Sequence, residues 1–277
     1  MASTGEARTF ERQTAAPQPW ALGLAARLRP ALIPAASIAG LILLWQVAAA
    51  IADDPRRLPA PGAVLHAIIA YTATGELPYH LSITLLRVAA SFVIAMAIGT
   101  AIGIAMGRVP LFDRIAHPWL VFLLNIPALV TIVLAYIWIG LVESALIFAV
   151  AINKIPNAVV TVREGARALD KSLLEMALVY RIGWRRTLTH VVLPQLYPYL
   201  AAAARSGLAL IWKIVLVVEL LGRSNGVGFQ IYLNFQLFDV AAILAYTLAF
   251  VAIMLVVELL LVQPLERHAS RWRRRPS

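Results

Sequence analysis

Read as a pattern of apolar and polar positions, the chain is a series of long apolar runs separated by short polar breaks. The runs cover residues 31–52, 83–106, 115–139, 144–163, 195–218 and 240–263. Each has about the 20 residues that a helix needs to cross a hydrocarbon core about 30 Å thick. Lipid offers no partner to backbone N–H and C=O groups, so such runs predict helices, whose hydrogen bonds are internal. The period-two alternation that a membrane barrel requires is scarce. The pattern predicts an all-α polytopic membrane protein of about six transmembrane helices.

Composition agrees. Of 277 residues, 61% are hydrophobic and 14% charged, and mean hydropathy is +0.80. That is too little charge for a surface facing water. A net charge of +10 would suggest nucleic acid in a soluble protein. Here the basic residues collect between spans, as orientation signals do, so no nucleic-acid partner is expected. With the N-terminus inside, most of the 24 basic residues fall in the N-terminal arm, in 107–114, in 163–194 and in the C-terminal tail. Only Arg56, Arg57, Arg87 and Arg223 are assigned to outer segments. The asymmetry predicts cytoplasmic termini, with an arm at 1–30, a transmembrane domain at 31–265 and a basic tail at 266–277. Arg8, Arg12, Arg27 and Arg29 make the arm unlike a signal peptide. Cysteine is absent, which excludes disulfides and thiolate metal sites.

The second run carries Ser91, Ala95, Gly99, Gly103 and Gly107 at four-residue spacing, one small-residue face that a neighbouring helix can approach closely. Leu58-Pro-Ala-Pro-Gly62 reads as a turn before a short surface helix, Ala63 to Tyr71. In 219–239, an outer excursion, Gly222, Gly226 and Gly228 are expected to break regular structure.

The longest inner polar stretch, 163–194, is patterned rather than loose. Ser172-x-x-Glu175 reads as a capping box opening a helix to about Tyr180. Gly183 allows a break, and Trp184 begins an amphipathic segment with Leu188, Val191 and Val192 on its apolar side. Pro194 then starts the next span, where its missing N–H costs nothing. Two short helices joined at a glycine form a rigid knob that can transmit force.

Glu175-Met-Ala177, followed 14 residues later by Val191-x-Leu193-Pro194, resembles the EAA loop of the permease subunits of binding-protein-dependent ABC importers. Leu58-Pro-Ala-Pro-Gly62, Leu85-Leu-Arg-Val, Asn125-Ile-Pro-Ala128 and Trp212-Lys-x-x-x-x-x-Glu219 are similar to its nitrate/sulfonate/taurine branch. The family pattern places a glycine six residues after the glutamate, where this chain has Arg181, with a glycine instead at Gly183. The resemblance implies an inner-membrane permease that works by alternating access without a cofactor. Its implied partners are a cytoplasmic ATPase dimer, an external solute-binding protein and a second permease subunit, expected to be a copy of this one. It also implies that Ser172, Glu175, Ala177, Arg181, Gly183, Trp184, Leu193 and Pro194 couple the chain to the ATPase.

Ionisable groups inside spans usually line a cavity or pair. Asn153, Lys154, Asn157, Lys213 and Glu219 are therefore candidates for a path suited to a small anion such as a sulfonate, taurine, nitrate or a carboxylate. Pairing or snorkelling of Lys213, and an inner-interface position for Arg205, are the structural alternatives. Pro156 is expected to kink its helix, and Glu143 and Glu219 to sit at the outer boundary. No Gly-x-x-x-x-Gly-Lys-Ser/Thr loop is present, so any ATP hydrolysis belongs to another chain. His66, His80, His117, His190 and His268 show no ligand spacing, and no catalytic or metal residue is assigned. The competing reading is a secondary transporter driven by an ion gradient, for which the patterned loop would have no purpose.

Overall fold

The computed structural model describes residues 19–264, with side chains from residue 33 onward. The start of the predicted arm and the tail at 266–277 lie outside the described residues. The chain divides into two units at Pro61. The first contains α1, Pro19–Ala52, of which Ile33–Ala52 is apolar and long enough to cross a membrane. Trp45 Nε1 donates to the Pro59 carbonyl at 3.1 Å, folding the proline-rich turn back against α1.

The second unit begins with α2, Pro61–Ala73, the expected short helix. It continues through α3, Glu76–Arg108, α4, Pro110–Leu124, α5, Ala128–Ile139, and α6, Glu143–Arg167. The inner excursion holds α7, Lys171–Val179, and α8, Trp184–Thr187. Then follow α9, Leu193–Gly222, α10, Val227–Gln236, and α11, Val240–Val257. Among the described residues five segments are long and apolar enough to span, and six if α4 and α5 count as one.

That pair corrects the third predicted span. Residues 115–139 form no single rod, because α4 and α5 meet at a bend of 94°. Pro127 supplies no N–H and disfavours helical backbone at Ile126. Asn125 Nδ2 donates to the Val121 carbonyl at 2.8 Å and closes the end of α4. By contrast, α6 continues without a break through Pro156.

The centre of the second unit is the packing of α3, α6 and α9, with Val88, Ala95, Leu146, Val150, Ile211 and Val215 buried together. The small-residue face of α3 meets α6. A Cβ added at Gly99 would lie 2.6 Å from Ala158 Cβ, and one at Gly103 would lie 2.8 Å from Val162 Cβ. Leu77, Leu81, Val227, Tyr246, Phe250 and Met254 form a second apolar cluster that brings α10 and α11 against α3. The 219–239 segment also departs from expectation, since it is mostly helical, the end of α9 to Gly222 and then α10, with Gly228 inside α10. The irregular stretch is only the turn before it, where Gly226 has φ +102°.

Candidate functional site

The knob is shorter than the polar stretch suggested, because α6 runs on to Arg167. Asp113 on α4 holds Arg163 at 2.7 Å and Arg167 at 2.6 Å, fixing α4 to this end of α6. The N-cap of α7 is Asp170, not Ser172. Asp170 Oδ1 accepts from the Ser172 N–H at 2.8 Å and from its hydroxyl at 2.7 Å. The same two hydrogen bonds hold the Asp170 carboxyl below its ordinary pKa. The Asp170 N–H donates to Gln195 Oε1 at 2.8 Å, tying the cap to α9. The expected capping box is therefore replaced by a cap whose backbone is held from α9.

The end of α7 explains Arg181. The Ile182 N–H donates to the Ala177 carbonyl at 2.9 Å and the Arg181 N–H to the Leu178 carbonyl at 3.0 Å. This six-to-one and five-to-two pair closes a helix through a residue in the left-handed region, and Arg181 has φ +50°. The position where the family pattern has glycine is thus the position whose backbone favours glycine. Gly183 does not take over that role, since its φ is −58° and it sits at the N-cap of α8.

Nor is the knob two free helices. From α8 a π-turn, Leu188–Val192, leads directly into α9, so Trp184 to Gly222 is one run of 39 residues. Pro194 cannot donate to the preceding turn, and a π-turn is one way a helix passes such a point. Leu174 and Leu188 pack on the buried cluster of Ala166, Leu169, Val192 and Leu196. Ala177 is buried, while Leu178, Val179, Tyr180 and Trp184 are exposed, Leu178 at 77% and Tyr180 at 75%. Arg185 lies 5.5 Å from the Trp184 ring centroid. Glu175 is exposed on the same knob.

The polar residues of the spans separate into two groups. Asn157 is exposed and Asn153 half-buried, one turn apart on α6. Lys213 is exposed on α9, with Nζ 5.4 Å from the Trp212 ring centroid. Arg205 pairs with Glu258 at 3.2 Å. Lys154 and Glu219 instead lie buried inside the bundle.

The match to known families settles the type of protein. Residues 97–274 match the family described as binding-protein-dependent transport system inner membrane component. The chain belongs to that family. The permease is 29% identical over 204 residues to the Escherichia coli (strain K12) protein named as the aliphatic sulfonates transport permease SsuC, covering 73% of this chain and 76% of that protein. It is 24% identical over 237 residues to the taurine transport system permease TauC of the same organism, covering 84% and 86%. To the bicarbonate transport system permease CmpB of Synechococcus elongatus it is 26% identical over 217 residues, covering 74% and 77%. These relatives agree with the sulfonate and taurine branch read from the sequence. Among solved structures, the MetNI methionine ABC transporter in an inward-facing form has a chain with TM-score 0.58 and 16% identity. The likeness covers 68% of the permease and 93% of that chain, and it establishes a shared fold.

Sequence reasoning missed a buried charge cluster among the described residues. Arg87, assigned to an outer segment, is 3% exposed inside α3. Glu219, expected at the outer boundary where a charge costs little, is fully buried on α9. Arg87 Nη1 donates to Glu219 Oε1 at 2.7 Å, and its Nε to Glu143 Oε2 at 2.9 Å. Glu219 also accepts from Thr84 Oγ1 at 3.0 Å and from the Gly228 N–H at 2.9 Å. Arg223 joins through Glu143 and the Leu141 carbonyl. His80 Nδ1 accepts from the Gly226 N–H at 3.0 Å, and Gln230 meets its other ring nitrogen at 2.7 Å. The cluster fastens α3, α6, α9 and the turn into α10 at one end of the bundle. The available signal was the balance of charge, two arginines and two glutamates near the same ends of three spans and their loops.

Proposed function

We propose that the chain is a transmembrane subunit of an ATP-driven importer for small organic or inorganic anions, of the sulfonate, taurine or bicarbonate type. In this reading it forms half of the translocation path with a second copy and takes solute from an external binding protein. It lies in a bacterial inner membrane with both termini cytoplasmic. A separate ATPase dimer docks on α7 and α8, and ATP-driven closure of that dimer moves the knob and reopens the path on the other side. Relatives named for sulfonates, taurine and bicarbonate support the solute class.

The observation that carries the ATPase contact is the tip of the knob. Leu178, Val179 and Tyr180 are exposed at the end of α7, a helix that is capped at one end and closed at the other, and Trp184 is exposed at the start of α8. A fixed apolar patch of this kind marks a protein–protein contact. Glu175 and Arg181, exposed beside it, supply charges for the rim of such an interface. Asn157 and Lys213, exposed on their own bundle, and the half-buried Asn153 one turn from Asn157 are the path residues of this reading. Lys154 and Glu219 stand behind them, inside the subunit. Family membership disfavours the secondary-transporter alternative.

Co-purification of the tagged chain from its native membrane, followed by ATPase assay, tests the proposal. A stoichiometric ATPase is expected with the wild type. Glu175→Ala and Leu178→Ser are expected to weaken it or uncouple its hydrolysis. Recovery of the chain alone, with solute uptake that follows an ion gradient, would overturn the proposal.

A further inference from the structure

The break between α4 and α5 lies deep in the bundle. Asp113, near the start of α4, pairs with Arg163 and Arg167 at the C-terminal end of α6. Further along α4, Leu120 is buried with Met106 and Val159. On α5, Ile132 joins the buried cluster of Leu146 and Val150, and the Tyr136 hydroxyl donates to the Val218 carbonyl at 2.9 Å. The chain thus passes along α6 from Arg167 towards Glu143. Residues 125–127 fall between the levels of Val159 and Val150, near the middle of that membrane-length helix.

At this depth the backbone is unpaired. Pro127 has no N–H, and its carbonyl takes the Val130 and Thr131 N–H groups at 3.0 and 3.3 Å. Among the described residues, the N–H groups of Ala128 and Leu129 and the carbonyls of Leu124, Asn125 and Ile126 make no hydrogen bond. Asn125, Pro127 and Leu129 are exposed, and so are Phe122, Leu124 and Val130 around them. Lipid suits these apolar side chains but offers the backbone no partner. Water suits the backbone but not an apolar wall. A protein surface can satisfy both. The break carries donors and acceptors within a few residues, so two copies related by a two-fold axis can each supply what the other lacks.

We propose that the α4–α5 break, from Phe122 to Val130, is where the permease meets a second copy of itself. This rests on the two-copy importer reading and gives it a surface, a mid-membrane contact made by broken backbone and its apolar flanks.

The chain contains no cysteine, so single cysteines can carry spin labels in an otherwise unchanged sequence. Leu129→Cys, at a position 55% exposed, is labelled in the co-purified complex in phosphatidylcholine nanodiscs. Leu255→Cys on α11, at a position 57% exposed, is the comparison. A helix with its side chains is about 10–12 Å across, so labels facing each other over the contact should be about 20 Å apart. Labels on outer walls are separated by about four helices, roughly 40 Å. The expected result is a Leu129 distance of about 20 Å, well below that of Leu255. The Leu129 label should also collide little with either oxygen or a nickel chelate. Val133→Cys, one turn along α5, should give the same short distance, and it serves if Leu129→Cys does not assemble. Distances at Leu129 and Val133 as long as that at Leu255 would overturn the surface. So would frequent oxygen collision, the mark of lipid, or frequent nickel collision, the mark of a water-lined wall. Those results would leave the paired copies standing, because a distance between two labels was measured. No dipolar signal at any of the three positions, in a complex that keeps its ATPase, would fail the two-copy reading and the contact with it.

Discussion

Replacing Arg181 with glycine should tighten the knob, against the usual effect of glycine near a helix. Arg181 has φ +50°, where an L-residue with a Cβ costs about 1–2 kcal/mol. Glycine removes that cost but gives the unfolded segment more freedom, worth about 0.4–1 kcal/mol. The net expectation is a gain of about 0.5–1 kcal/mol, or about two- to five-fold in the closing equilibrium of α7. No hydrogen bond or ion pair of the Arg181 side chain is seen within the described residues, so little is lost on the folded side. Hydrogen exchange resolves the effect. Protection of the Tyr180, Arg181 and Ile182 amides, two of which make the closing bonds, should rise two- to five-fold in Arg181→Gly. Unchanged or lower protection would refute the backbone argument. ATPase activity of the co-purified complex provides a separate readout. A fall in activity alongside higher protection would assign the arginine side chain to the interface and the strain to the backbone.

Other outcomes follow from the same geometry. Arg87→Met leaves the buried Glu219 carboxylate without its cation, so it should destabilise by about 3–5 kcal/mol in thermal melts; the double variant Arg87→Met/Glu219→Gln should recover part of that loss, and additive losses would refute the coupling. Because the Asp170 pKa is lowered in the folded state, its cap stabilises α7 above the ordinary value of 3.8 and loses that contribution as pH falls through the lower folded value. Protection of the Ser172 amide, corrected for intrinsic exchange, should therefore be flat from pH 8 to 5, whereas in Asp170→Ala it should be low throughout; a midpoint near neutral pH would refute the assignment. Gly183→Ala should leave ATPase coupling intact, because φ −58° suits any residue and an added Cβ meets nothing within 4 Å. A loss of coupling would show that glycine is needed at the joint between α7 and α8.

The spans were legible because lipid imposes a coarse rule, long apolar runs, and the chain follows it everywhere. The bend between α4 and α5 was hidden by that rule, since Asn125-Ile126-Pro127 sits inside a continuous apolar stretch and breaks the helix without adding polarity. The close-packing face of α3 was legible for the opposite reason, as Gly99 and Gly103 have no local use; that its partner is α6, through Ala158 and Val162, came from the structure. At the knob, the cap lies two residues before the one the sequence pattern marked. The local pattern favoured Ser172, but Gln195 holds the Asp170 backbone from α9, a choice no local pattern contains. Arg87 and Glu219 were misplaced in the same way. Depth from the ends of a run predicts exposure only where nothing covers those ends, and here the turn through Gly226 and Gly228 does.

These ties decide what kind of body the knob is. A hinge at Gly183 would let α7 move while α9 stayed still. Three connections oppose that motion: the unbroken run from Trp184 to Gly222, the hydrogen bond from Asp170 to Gln195, and the packing of Leu174 and Leu188 over Leu196. A displacement of α7 therefore carries the adjoining end of α9 with it. The other end of α9 is fastened through Glu219 to Arg87 and so to α3. Under the proposed coupling, α9 is then the lever between ATPase and path.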